Sequence, residues 1–342
     1  MSDVILAHAS SPYVSAYPWS SGFGTKYSNP ATLPGSTCYG VQFSSDGADI
    51  VVAHASSPYV SAYPWSSGFG TKYSDPATTP TGLGRGVGFA PDGSAVAVAH
   101  STSPYVSAYP WSSGFGTKYS DPATLPSGIG RGVSFNPGSS AIAVAHSSSP
   151  VISAYPWSSG FGTKYSDPAT LPTSTCYGVE FSSDGADIVV AHTGGGNISA
   201  YPWSSGFGTK YSDPATTPTG FSNSATFSSD DVDVVVAHTT SPYVSAYPWS
   251  SGFGTKYSDP ATLPTGNSNK VTFTSDDSDV ILAHNTSPYV SAYPWSSGFG
   301  TKYSNPATLP ASHAFGVSIT DEGAAPSVNV PVFWHHYQLL RC

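Results

Sequence analysis

The chain has 342 residues, only 9% of them charged, and a formal net charge of −9. That balance argues against a nucleic-acid partner, since phosphate binding needs concentrated Lys and Arg, and no apolar run reaches the roughly 20 residues that span a bilayer. Disorder is excluded too, because Trp 8, Tyr 22 and Phe 16 supply the buriable surface that disordered chains lack.

The amino terminus, MSDVILAHAS, places no basic segment before its short apolar stretch, so no secretory signal peptide is expected. Residues 4–8 read as a buried strand, and the segment ending at Trp19 as another. The pattern then recurs. Trp19, Trp65, Trp111, Trp157, Trp203, Trp249 and Trp295 stand 46 residues apart, and His8, His54, His100, His146, His192, His238 and His284 keep the same step. A period of this length with several strands per unit marks the blades of a β-propeller. Helical repeats are excluded, since Gly or Pro interrupts every stretch.

One unit, residues 85–128, is expected to form four antiparallel strands. GVGFAP is strand A, with an Asp92-Gly93 hairpin after it. AVAVAH is strand B, YVSAYPW is strand C, and TKYSDPAT beyond the SSGFG turn is strand D. The chain starts on a strand B, and its last unit ends on a strand A at residues 315–320. The expected fold is therefore all-β: a seven-bladed β-propeller over residues 1–320, closed by the C-terminal strand A joining N-terminal strands B, C and D. A tail, residues 321–342, follows and carries Trp334, His335, His336 and Tyr337. Three cysteines make no disulfide framework. Cys38 and Cys176 fall on separate blades and Cys342 in the tail, so all three are expected as free thiols.

The A–B segments FSSDG at 43–47, FAPDG at 89–93 and FSSDG at 181–185, followed by a small-residue strand and an aromatic-ended one, resemble the blades of the WD-repeat family. The resemblance covers residues 1 to about 320 and implies propeller architecture. Tyr-Pro-Trp stands where that family has Trp-Asp, and no Gly-His opens the unit, so the family's hydrogen-bonding tetrad is not carried over.

Four sets of residues are candidates for chemistry. The histidines form either a metal- or proton-sensitive collar or, as the favoured reading has it, a set bonded to neighbouring blades. The recurring acids Asp46 with Asp49, Asp184 with Asp187, Asp230 and Asp231 with Asp233, and Asp276 and Asp277 with Asp279 are read as turn formers rather than calcium ligands. The invariant AYPWSSGFGTKYS element is read as blade packing. Its alternative is a sugar site on each blade, built from Trp19 and Lys26, Trp65 and Lys72, Trp111 and Lys118, Trp157 and Lys164, Trp203 and Lys210, Trp249 and Lys256, and Trp295 and Lys302. In its near-identical blades the chain is similar to propeller lectins of the tachylectin kind.

The fourth set lies where the units differ. Tyr39, Arg85, Arg131, Tyr177, Phe221, Asn223, Asn269, Lys270, His313 and Phe315 fall in the D–A connections, expected beside the central channel on one face. Aromatics with Arg are the usual anchors of protein docking. Seven copies of every invariant group argue against a single asymmetric catalytic site, so no enzyme, cofactor or metal is expected. The expected function is a non-catalytic interaction scaffold, with a virion or external appendage favoured over the cytoplasm and assembly through the tail. The alternatives are a multivalent lectin and a WD-type peptide adaptor.

Overall fold

The computed structural model describes residues 2–320; the tail, with its four named aromatic and imidazole residues and Cys342, lies outside the described residues. The first strands are β1 (Ser2–His8) and β2 (Val14–Trp19). Six triplets of one pattern follow. They begin with β3 (Cys38–Phe43), β4 (Asp49–His54) and β5 (Val60–Pro64), then β6 (Gly84–Phe89), β7 (Ala95–His100) and β8 (Val106–Pro110). Next come β9 (Gly130–Phe135), β10 (Ala141–His146) and β11 (Ile152–Pro156), then β12 (Cys176–Phe181), β13 (Asp187–His192) and β14 (Ile198–Pro202). The last triplets are β15 (Ser222–Phe227), β16 (Asp233–His238) and β17 (Val244–Pro248), and β18 (Ser268–Phe273), β19 (Asp279–His284) and β20 (Val290–Pro294). β21 (Ala314–Ile319) ends the series.

The chain folds as a seven-bladed β-propeller of antiparallel sheets. β21 pairs with β1, Leu6 opposite Val317 and Val4 opposite Ile319, so first and last segments share one sheet. Each sheet has three regular strands rather than the four expected. The segment expected as strand D follows the strand C edge with little ladder: Tyr27 N–H bonds the Ala16 carbonyl at 2.9 Å, and Trp19 bridges to Phe23. Proline explains the difference. Pro18 and Pro30 remove backbone donors where a longer ladder would need them.

The middle strands are buried along their whole length. Their residues are small and β-branched because both faces meet neighbouring blades. Each apolar cluster spans two blades: Ala97 and Ala99 of one sheet pack with Phe135, Ile142 and Val144 of the next, and Trp157 caps the group.

The invariant tryptophans are parts of this packing. They are only 4–8% exposed. In five interfaces the indole Nε1–H donates to a carboxylate one blade back: Trp65 to Asp3, Trp111 to Asp49, Trp249 to Asp187, Trp295 to Asp233 and, around the ring, Trp19 to Asp279. The other oxygen of each carboxylate accepts from a tyrosine of its own blade, as Tyr73 donates to Asp49 at 2.7 Å. These acids are therefore interblade locks and not turn formers. The turns are held by the acids three positions earlier, with Asp46 accepting from the Ser44 hydroxyl at 2.6 Å and the Ala48 N–H at 3.0 Å. Ala95 and Ala141 occupy the lock position in two consecutive blades. Cys38 and Cys176 are buried free thiols.

The histidines bond within their own blades, which corrects the expected interblade bond. In all seven, Nε2 meets the serine hydroxyl of the adjacent outer strand, as His54 meets Ser61 at 3.0 Å. In the ladder Ser61 faces Val52, so the spacing of seven is that of diagonal neighbours on paired strands joined by a short loop. Every ring is fully buried. Burial lowers the pKa of six of them to about 4, and of His192 in the same direction.

Two outcomes follow. Each imidazole binds a proton less readily folded than unfolded, so its stabilisation is complete above pH 6.5 and is lost as pH falls toward 4. At on the order of 3 kcal/mol for each ring lowered to about 4, those six rings alone exceed the whole stability of a typical domain. Acid titration followed by tryptophan fluorescence should show steep unfolding with its midpoint between pH 4 and 6.5; a midpoint below pH 4 would contradict this account. Second, Asp233→Ala strands the Tyr257 hydroxyl and the Trp295 indole, and should cost about 3 kcal/mol in denaturant unfolding. Ala95→Asp, at a buried position where it offers Tyr119 and Trp157 the missing acceptor, should cost less than about 1 kcal/mol in the same measurement.

Candidate functional site

The seven innermost strands, β21, β3, β6, β9, β12, β15 and β18, line a central channel with a cavity at each mouth. Each of these strands pairs regularly with its neighbour, then breaks register near its start, as between Cys38 and Gly40 in β3. The break turns the intervening residue toward the axis. That residue is Tyr39, Arg85, Arg131, Tyr177, Asn223, Asn269 or Phe315, one per blade, and all seven line the first mouth. The repeat thus delivers seven different side chains to one ring.

The ring is polarised. Arg131 lies over the Tyr177 ring, 4.3 Å from its centroid, and Arg85 over Tyr39 at 5.7 Å. Tyr39 and Phe315 pack with centroids 5.1 Å apart. Opposite the arginines, Asn223 and Asn269 each donate Nδ2–H to the backbone of the next blade, at 2.9 and 2.8 Å. The Nε–H groups of Arg85 and Arg131 are buried with no protein partner. Burial lowers the Arg131 pKa, the like charge of Arg85 acting the same way against Tyr177.

One residue further along each strand, glycine predominates at the axis. A Cβ at Gly86 would stand 2.7 Å from the Arg131 carbonyl, and one at Gly132 2.8 Å from that of Tyr177, so adjacent strands approach backbone to backbone. Lys270 breaks this series, and it lines both mouths. Its Nζ lies 3.6 Å from Glu180 Oε2. Glu180 belongs to a third ring with Gln42, Gly88, Ser134, Thr226, Thr272 and Ser318, where it is the single charged member. The Thr226 hydroxyl donates to Glu180 Oε1 at 2.5 Å. The first cavity, about 300 Å³, has no acidic residue in its lining.

Eight of the ten residues expected on the variable face converge on this cavity; Phe221 and His313 do not. Phe221 is 55% exposed on the surrounding loops and His313 is exposed as well. The Trp–Lys sugar sites are not formed. The indoles are buried, and each lysine is engaged with the residue three positions on, Lys72 with Asp75 and Lys302 with Asn305 among them. Glu180 was not among the expected residues. The signal that could have found it is a lone acid at a position where the other six units carry Gln, Gly, Ser or Thr.

No protein-family model matches the chain, and no curated protein matches it in sequence. Solved structures match its fold from end to end. A candidate 6-phosphogluconolactonase from Bacteroides uniformis aligns over 93% of this chain and 99% of its own, at TM-score 0.68 and 14% identity. The periplasmic gluconolactonase of Pseudomonas aeruginosa aligns over 94% and 99%, at 0.69 and 13%. A protein from Lactobacillus plantarum reaches 0.73 at 12% identity, over 94% and 100%. At such identities the likeness establishes the fold, a β-propeller, and does not extend to the WD-repeat family. The expectation of a non-catalytic scaffold, with its lectin and adaptor alternatives, is corrected by these comparisons, because structures that share the whole frame are named as lactonases. The reasoning behind that expectation also fails on geometry. Sevenfold repetition does not forbid an asymmetric site when the variable position of every blade faces one axis.

Proposed function

We propose that the chain is a hydrolase of small anionic lactones, acting at the cation-bearing mouth of its channel. The observation that carries this reading is the convergence of Arg85, Arg131 and Lys270 on a cavity free of acidic lining. Two half-buried guanidinium groups whose Nε–H donors are buried and unpartnered are a standing demand for acceptor oxygens. A carboxylate or phosphate supplies them with a geometry that guanidinium matches. The same donors stabilise the negative charge that grows on an ester carbonyl oxygen as water adds to it. Tyr39 and Phe315 offer an apolar face to a sugar ring. The Asn223 and Asn269 amides, with Nδ2 engaged, keep their oxygens for substrate hydroxyls.

The named neighbours support the reaction class, since a 6-phosphogluconolactonase and a gluconolactonase both open a sugar-acid ring ester. The test is proton release from glucono-lactone and from its 6-phospho derivative, measured against spontaneous opening. Acceleration of the phosphorylated lactone, with a preference over the neutral one, is expected. Arg85→Met and Arg131→Met should each lower kcat/KM on the order of 100-fold. Rates no faster than the spontaneous ones, or arginine variants as active as the parent, would overturn the reading.

A further inference from the structure

We propose that Glu180 is the general base of the channel site and that Lys270 is the residue that positions it. This inference rests on the lactonase reading above and adds the proton-transfer group that reading lacks. Arginines polarise a carbonyl, but a neutral water must still lose a proton as it attacks, and no residue of the first cavity is built to take it. His8, His54 and the other buried imidazoles belong to the blade interiors, each bonded to its serine. The interblade aspartates are each occupied by a tyrosine and a tryptophan. Glu180 alone among the carboxylates of the inner strands stands in the channel wall, with its side chain 30% exposed.

Its position relative to the first cavity follows from Lys270. Lys270 belongs to the lining of both cavities and its ammonium lies 3.6 Å from Glu180 Oε2, so its side chain links the two mouths, and a water in the channel beside it would stand between the carboxylate and a lactone bound at the first mouth. Thr226 fixes the other oxygen, Oε1, leaving Oε2 to accept. The surroundings favour a base. Burial raises the Glu180 pKa above the ordinary carboxylate range, while Lys270 and the Thr226 hydroxyl hold it partly down. The other elements of the ring face it with Ser134 from β9, Gln42 from β3, Thr272 from β18 and Ser318 from β21, none of them ionisable in the working range; Asp277 is the remaining charged residue at that mouth.

The step balances. The Glu180 carboxylate takes one proton from water, whose oxygen bonds to the lactone carbonyl carbon. The tetrahedral adduct collapses with cleavage of the ring C–O bond, and the departing alkoxide takes the proton back from the Glu180 carboxyl. One water is consumed, one hydroxy acid is formed, and the carboxylate is regenerated.

The experiment is the pH dependence of kcat/KM for the phosphorylated lactone in the parent chain, Glu180→Gln, Glu180→Asp and Lys270→Met. The parent should show an acid limb. Glu180→Gln should lose at least 100-fold and the limb with it, and Glu180→Asp should recover part of both. Lys270→Met removes the cation that holds the carboxyl pKa down, so its limb should move to higher pH. Calorimetric binding of inorganic phosphate supplies a readout apart from turnover: Glu180→Gln should keep it and Arg131→Met should lose it. Retained activity and an unmoved limb in Glu180→Gln overturn the base assignment and leave the lactonase reading standing. A parent chain that binds phosphate yet opens no lactone overturns both. If Glu180→Gln fails to fold by tryptophan fluorescence, the Lys270→Met limb decides, and an unmoved limb there overturns the proposal.

Discussion

The structure depends on a carboxylate shared between two blades. A strand-initial aspartate, buried to within a few per cent, accepts a tyrosine hydroxyl from its own blade and an indole N–H from the next. Apolar packing between sheets is non-directional and would tolerate sliding. Two hydrogen bonds to one fixed anion do not, and an anion left alone in that environment would be costly. Five such contacts set the angle between neighbouring blades, and the angle sets how many blades close a ring. From that registration come the alignment of seven inner strands on one axis and the facing of seven variable residues across one channel.

A division of labour within each repeat follows. Nearly everything from the middle strand outward is the same in every unit, because each has the same neighbours to satisfy. The inner strand has two obligations only: an apolar residue such as Val41 or Val133 toward the blade interface, and backbone close enough to the next blade to keep the channel narrow. The residue released by the register break has no partner that is the same in every unit. It is free to be Arg, Tyr, Asn or Phe. Chemistry is placed where the frame asks for least, and that is how a chain of near-copies holds a site with no symmetry.

Much of the fold was legible because the step of 46 residues is unbroken and the strand signals repeat with it. The outer segment was overread as a strand, since its Lys-Tyr-Ser run has strand composition and its prolines act only through lost donors. The aspartates of the lock were read as turn residues because their tryptophan partners are 62 positions away in the chain, or 260 across the ring closure, distances no local pattern carries. The site was half legible. The variable ring could be picked out from unit-to-unit differences, but not its meaning, for periodicity says that residues are equivalent and nothing about whether equivalents meet. Glu180 differs from its counterparts by a single acid in a polar series, and only the Lys270 contact across two blades gives that difference weight.

The two alanines at the lock position fall in consecutive blades, so the blade of β9, β10 and β11 lacks the shared carboxylate on both of its flanks. It is held by side-chain contact and by its own sheet, while the rest of the ring is pinned at fixed angles. In a closed hoop, one segment with soft joints on either side can rock without the hoop opening. That segment carries Arg131, and so the guanidinium stacked on Tyr177 is also the one mounted on a pivot.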